Sequence, residues 1–297
     1  MARVEIIEYT DPGCSWAWGS EPKLRLLRWR HGHRLRWRRV LGGLVGDMLA
    51  YDPDFDAEQR APDYAAYWAS VSEHTGMPAP DPLHRMYAST EPACLAVTAA
   101  ARQGEQVADR VLRRLREATF VHGHPPDDRD RIAEALATVP GLDRDRLLGD
   151  LDGEEVRAAF QRDWEATRRP DPEVLELDEE GPGAGNAKHA EGHWRYVFPT
   201  IVVRSGDDRR IVPGWKPYED YVAALEALEP GVTADARPDP TPAEVLETFG
   251  SVTDTELAFL CGPDATPPPD AVALEVSGGV LWRSADQAGD PRREGHP

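Results

Sequence analysis

The sequence predicts an α/β fold carrying a large helical insertion, with a small helix-and-hairpin module after it. Three observations predict this. An apolar strand pattern, Val4 to Tyr9, runs into a turn and then a helix. Helical periodicity dominates from about Tyr64 to Thr167 with no strand pattern between. Runs of β-branched and aromatic residues return only afterwards, at Tyr196-Val197, Ile201 to Val203 and Ile211-Val212. The order is β-α-β, helical insert, β-β-α.

The bulk numbers agree with a folded domain. The chain has 297 residues, 40% hydrophobic and 29% charged, as in a soluble globular protein. No apolar run approaches the ~18–20 residues that span a bilayer, so no membrane partner is expected. The first residues go directly into a charged strand pattern, unlike a secretory signal with its apolar stretch of ~7–15 residues. A cytoplasmic location is expected, and three scattered cysteines do not make a disulfide framework. The net charge of −19 argues against nucleic acid as a partner, because non-specific binding needs Lys and Arg to neutralise phosphates.

In chain order, Asp11-Pro12-Gly13 is a turn signal and Ser20 to Trp29 a helix ended by Gly32. Leu35 to Leu41 alternates as a second strand and breaks at Gly42-Gly43. Residues 1–45 and 193–229 form the sheet-bearing core. Residues 46–168 are the insertion. It has helices at Tyr64 to His74, Ala93 to Ala101, Val107 to Val121, Asp127 to Leu136, Asp143 to Leu151 and Glu154 to Thr167. In the first of these, Tyr64, Tyr67, Trp68 and Val71 share one side. Residues 169–192, acidic and rich in Gly and Pro, read as a mobile surface loop. Pro199 interrupts a strand pattern, which demands an edge position or a special peptide geometry. Tyr218 to Leu228 is the last core helix. Residues 230–242 are a Pro- and Asp-rich linker, and 243–284 a winged-helix-like module of two helices and a hairpin. Residues 285–297 read as a disordered tail.

Cys14 stands where the first strand turns into a helix. Free N–H groups and the dipole of a first helical turn favour thiolate, the reactive form. A dithiol motif needs a second cysteine three residues on, and that residue is Ala17. The arginines between Lys23 and Arg39 are either a solvated helix face or a positive field near Cys14. Trp16 and Trp18 either pack in the core or line a cleft beside Cys14. Cys94, on an alanine-rich helix, is a packing residue or a distant second thiol, and Cys261 is structural or exposed. Ser89 and Thr90 are helix-cap residues. His189, Glu191 and His193 offer too few ligands for a metal site, and no metal is expected.

The text Asp11-Pro12-Gly13-Cys14-Ser15-Trp16-Ala17-Trp18 with Glu21-Pro22 resembles the DsbA-like thioredoxin-fold family. The resemblance is to a cytoplasmic bacterial subgroup that also holds adaptor proteins of the ClpXP protease. Leu41-Gly42-Gly43-Leu44, Thr75-Gly76-Met77-Pro78 and Ser89-Thr90-Glu91-Pro92-Ala93-Cys94 are similar to it as well. The resemblance covers roughly Val4 to Leu228. It implies a thioredoxin-like fold, Cys14 as the nucleophile, Pro199 as a cis-proline facing it, and a substrate-binding strand at Phe198, Pro199 and Thr200. Ala17 departs from the pattern, making this a monothiol variant (Cys-Ser-Trp-Ala).

Two functions follow as expectations. One is a thiol–disulfide oxidoreductase acting on a protein or small-molecule disulfide through Cys14. No cofactor would be bound tightly, and a low-molecular-weight thiol would complete the cycle. Glutathione is a candidate, and so is mycothiol, because the Ala-, Arg-, Asp- and Pro-rich composition resembles that of high-GC bacteria. A thiol-cofactor-dependent transferase or isomerase is a variant of this reading. The other function is a redox-inactive adaptor that binds a protein partner through the helical insertion.

Overall fold

A computed structural model describes residues 4–190 and 192–284. Strand β1 (Val4–Thr10) leads into a one-turn helix α1 (Ser15–Trp18), then α2 (Glu21–His31) and β2 (Leu35–Leu41). The insertion holds α3 (Met48–Tyr51), α4 (Ala61–Thr75), α5 (Glu91–Ala101), α6 (Glu105–Phe120), α7 (Arg129–Ala135), α8 (Arg144–Asp150) and α9 (Glu154–Thr167). Helix α10 (Pro172–Leu175), β3 (Lys188–Ala190) and β4 (His193–Arg195) precede β5 (Thr200–Ser205), β6 (Asp208–Pro213) and α11 (Tyr218–Leu228). The C-terminal part is α12 (Pro242–Phe249), β7 (Ser251–Thr253), α13 (Asp254–Cys261), β8 (Val272–Val276) and β9 (Gly279–Arg283).

The main sheet runs β2-β1-β5-β6, with β1 parallel to β2 and antiparallel to β5. Because side chains alternate across a strand, Val4 and Ile6 share one face with Leu35, Ile201, Val203 and Val212. That face packs on Leu24 and Leu27 of α2 and on Tyr221 and Leu225 of α11. A second core fills the insertion, where Ala93, Cys94, Ala96, Ala99 and Ala100 of α5 are fully buried. The α/β fold with its helical insertion is the one the sequence predicts.

Three details differ from the sequence reading. An extra one-turn helix precedes the expected one: α1 ends at Gly19, and α2 starts at Glu21 with Pro22 in its first turn. Residues 169–192 carry α10 and β3 instead of being wholly irregular. The linker and the module are docked on the core. The Trp29 indole donates to the Pro238 carbonyl, Arg30 pairs with Asp239, and α12 and α13 bury Val245, Leu246, Leu257 and Leu260 in the core of the main sheet. Strand β7 joins the hairpin β8–β9 to make a separate three-stranded sheet. The tail from Ala285 and residue Glu191 lie outside the described residues.

The arginines of α2 and β2 divide. Arg36 and Arg38 are exposed, as a solvated face would have them, whereas Arg25 is buried and Arg28 and Arg39 are half-buried in ion pairs. Arg25 lies 3.1 Å from Glu256 and 3.2 Å from Glu21, and Arg28 and Arg39 both meet Glu8 and Asp109. Arg113 of α6 makes a bidentate pair with Glu256 at 2.9 Å and reaches Glu117 at 2.8 Å. Glu117 also receives Arg114 and Arg283. This knot ties core, insertion and C-terminal module together.

Candidate thiol site

The turn before α1 is built on Asp11. Its Oδ1 accepts the Gly13 amide at 2.8 Å, and its Oδ2 accepts the Leu44 amide, the Thr90 hydroxyl and the Cys94 thiol. The side chain is completely buried. Burial raises its pKa, while these four donors pull the other way. Residues from three segments thus converge on one carboxylate and fix the loop that presents Cys14.

Cys14 occupies the N-cap of α1 and is only 5% exposed. Its thiol donates to the Phe198 carbonyl at 3.3 Å, and the Phe198–Pro199 peptide is cis. Gly42 makes room for the Phe198 ring, because a Cβ there would lie 2.1 Å from it. Burial pushes the Cys14 thiol up to about 11, and the Asp11 charge adds to the rise. The amides of Ala17 and Trp16 and the Arg116 guanidinium oppose it. First-turn amides favour thiolate, as the sequence implies, but desolvation outweighs them, so the resting group is a protonated thiol.

Cys14 lines a cavity of about 560 Å³. One wall is α4, through Tyr64, Tyr67 and His74; others are Trp16, Trp215 and Phe198. The Trp16 indole donates to the Tyr67 hydroxyl at 3.0 Å and stacks near His74. Residues 181–184 line the cavity from the segment read as a mobile loop. Gly183 has φ +73°, its carbonyl accepts the Trp215 amide, and a Cβ there would press on Trp215 at 2.8 Å. Lys188 and Arg195 bring positive charge to the lining.

Of the residues singled out in the sequence, Cys14, Trp16 and Phe198 meet at this cavity. Trp18 does not belong to it. Its ring is 2% exposed, stacks with Phe120, carries Arg113 over its face and donates to the Pro78 carbonyl, so it is a core residue. Among the described residues that line the cavity, neither Pro199 nor Thr200 appears. The Pro199 carbonyl accepts the Gly214 amide, and the buried Thr200 hydroxyl donates to Val197. Cys94 is buried on Asp11 and also lies off the cavity, and all three cysteines are free. Among the described residues no group of three His, Cys, Asp or Glu side chains is placed to hold a metal. Sequence reading missed Tyr64, Tyr67, His74 and Trp215 as wall residues. The pair of tyrosines one turn apart was the available signal, since a tyrosine tip prefers a polar neighbour to a closed core.

The fold has known counterparts. A family model described as "Thioredoxin" matches residues 8–171. The ClpXP adapter protein SpxH of Shouchella clausii is 26% identical, over 86% of this chain and 77% of its own. A putative protein disulfide isomerase from Nitrosomonas europaea superposes with a TM-score of 0.55 at 20% identity, covering 76% of this chain and 97% of that one. The cytosolic disulfide reductase DsbM from Pseudomonas aeruginosa with GSH gives 0.52 at 20%, covering 75% and 98%. With its family model spanning more than half of the sequence, the chain belongs to the thioredoxin family.

Proposed function

We propose that the chain is a cytoplasmic thiol–disulfide exchange protein in which Cys14 works as a lone thiol on a mixed disulfide that carries a small thiol. One observation carries the reading: Cys14 lines a cavity of ligand size, with Ala17 where a second thiol would stand. The Cys14 thiolate attacks one sulfur of the incoming disulfide. A new S–S bond forms and the other sulfur leaves as a thiolate. A free small thiol then attacks that bond, restores Cys14 and departs as a small-thiol disulfide. Lys188 and Arg195 suit the carboxylates of glutathione, and the aromatic walls suit the sugar rings of mycothiol. The related fold with GSH supports glutathione as the first thiol to test.

With its pKa near 11, Cys14 is ionised in about one molecule in ten thousand at pH 7. The resting thiol is therefore guarded, and exchange depends on a disulfide entering the cavity and displacing the bond to Phe198. The test is turnover of a glutathionylated peptide with reduced glutathione present. Cys14→Ser should lower the rate at least 100-fold, and intact-mass measurement should show one glutathione on Cys14 of the wild-type chain. Equal rates for the two chains would sink the reading. A Cys14–Cys94 disulfide after oxidation would replace the small thiol in the second step.

The second reading is a redox-silent adaptor. It is favoured by Ala17 and by the SpxH relatives, which match across 86% of the chain. It requires that partner binding survive Cys14→Ser while neither chain turns over a disulfide.

A further inference from the structure

Chain segment 46–63 is bounded at both ends by residues that line the Cys14 cavity, Val45 and Tyr64. Two properties set it apart. Exposed apolar surface is concentrated there: Leu49 is 52% exposed, Tyr51 64%, and Tyr64 and Tyr67 on the following helix 36% and 49%. These are half of the eight large hydrophobic side chains that stand exposed among the described residues. Single exposed hydrophobics need no explanation, but a run of them beside a cavity marks an interaction surface. The second property is charge. Residues 47–63 hold six carboxylates (Asp47, Asp52, Asp54, Asp56, Glu58 and Asp63) against one cation, Arg60. That is about one residue in three, whereas the chain as a whole has 53 in 297. The excess is therefore local and not merely the general acidity. All six are exposed, and no ion pair to them is found among the described residues. Asp47 and Asp56 also accept backbone amides, which fixes the loop and leaves the charge in place.

We infer that this acidic, tyrosine-bearing rim docks a basic polypeptide segment with apolar side chains. The occupant is named by complementarity: Lys or Arg to meet the carboxylates, and leucine- or tryptophan-like groups to cover Leu49, Tyr51, Tyr64 and Tyr67. An acidic or nucleic-acid partner is repelled by the same surface. The inference deepens the exchange reading by giving its substrate a protein half: the small thiol enters the cavity while the polypeptide lies on the rim. It rests on that reading for chemistry, but docking does not need the thiol.

The test therefore uses the full chain with Cys14→Ser. The probe is a fluorescein-labelled dodecapeptide of alternating Lys and Leu with one Trp and no cysteine, followed by anisotropy. Expected is saturable binding that weakens with salt, at least tenfold tighter than for two control peptides. One control carries Glu for Lys and the other Ser for Leu and Trp. Leu49→Ser/Tyr51→Ser and, separately, Asp52→Asn/Asp54→Asn should each weaken binding at least fivefold, while the distant pair Asp264→Asn/Asp270→Asn should not. Equal binding of either control peptide, or equal weakening by the distant pair, overturns the inference and leaves the exchange reading to stand on turnover alone.

Discussion

Two buried regions of this molecule treat charge in opposite ways. The knot around Arg113 gathers Arg25, Arg114 and Arg283 with Glu117 and Glu256, all buried and joined by bonds of 2.8 to 3.2 Å. The Cys14 thiol, also buried, is held by one thiol–carbonyl bond within a cluster of Ala17, Tyr196 and Phe198. Charge in this chain is thus spent on holding its parts together, and the thiol itself is left neutral. The lesson is that a basic run near a candidate cysteine does not by itself tune that cysteine. Of the cations, Arg116 acts on Cys14, and Arg116 is itself engaged with Glu21 and Thr10.

The knot can be broken most severely at Arg113. Removing one partner of a buried pair leaves the other charge uncompensated, at a cost of ~3–5 kcal/mol. Among the described residues, Arg113→Ala leaves Glu256 with Arg25 alone and deprives Glu117 of one of its three cations. Denaturant unfolding should show a loss in that range, and the C-terminal module should become protease-sensitive. Unchanged stability would mean that the knot contributes only geometry.

Acidification should loosen the same region by a slightly smaller amount. Burial alone would raise Glu21, but Arg116, Arg25 and Arg113 hold it down to about 2. Its folded pKa lies below the ordinary 4.5, so its stabilisation is complete above that value and fades as pH falls toward 2. The gap corresponds to ~3 kcal/mol to order of magnitude. Glu21→Gln should flatten this part of the stability-versus-pH curve, read by urea midpoints between pH 2 and 5.

The same contrast explains what the sequence could disclose. Strands and helices were legible because they rest on local period and on turn residues, as at Asp11-Pro12-Gly13 and Glu91-Pro92. The placement of Cys14 at a strand-to-helix turn was legible for the same reason. Its protonation was not, because the groups that bury it, Phe198 and the residues 181–184, stand more than 160 positions away. The knot was invisible too: Arg25 and Arg113 look like surface residues until Glu256 arrives from the far end of the chain. Trp16 and Trp18 stand two residues apart on α1 and so point to different sides, and only the packing of Phe120 and Pro78 shows that Trp18 is the inward one.

The smallest change in stability should come from the residue with the largest proposed role. Cys14→Ala deletes one weak thiol–carbonyl bond and one sulfur in contact with Phe198, a loss of about 1 kcal/mol at pH 7. The pH dependence of that difference sharpens the comparison. The folded thiol titrates near 11 against an ordinary 9.0, so the folded state keeps its proton after the unfolded chain has released it. Wild-type stability should therefore decline as pH rises from 9 to 11, and the alanine variant should decline less. Cys94 and Cys261 are common to both chains and cancel in the difference. Iodoacetamide labelling of Cys14 should climb over the same interval with no plateau near 8.5. A plateau there, or identical stability curves for the two chains, would show that Cys14 is solvated and charged at rest, and the contrast with the knot would collapse.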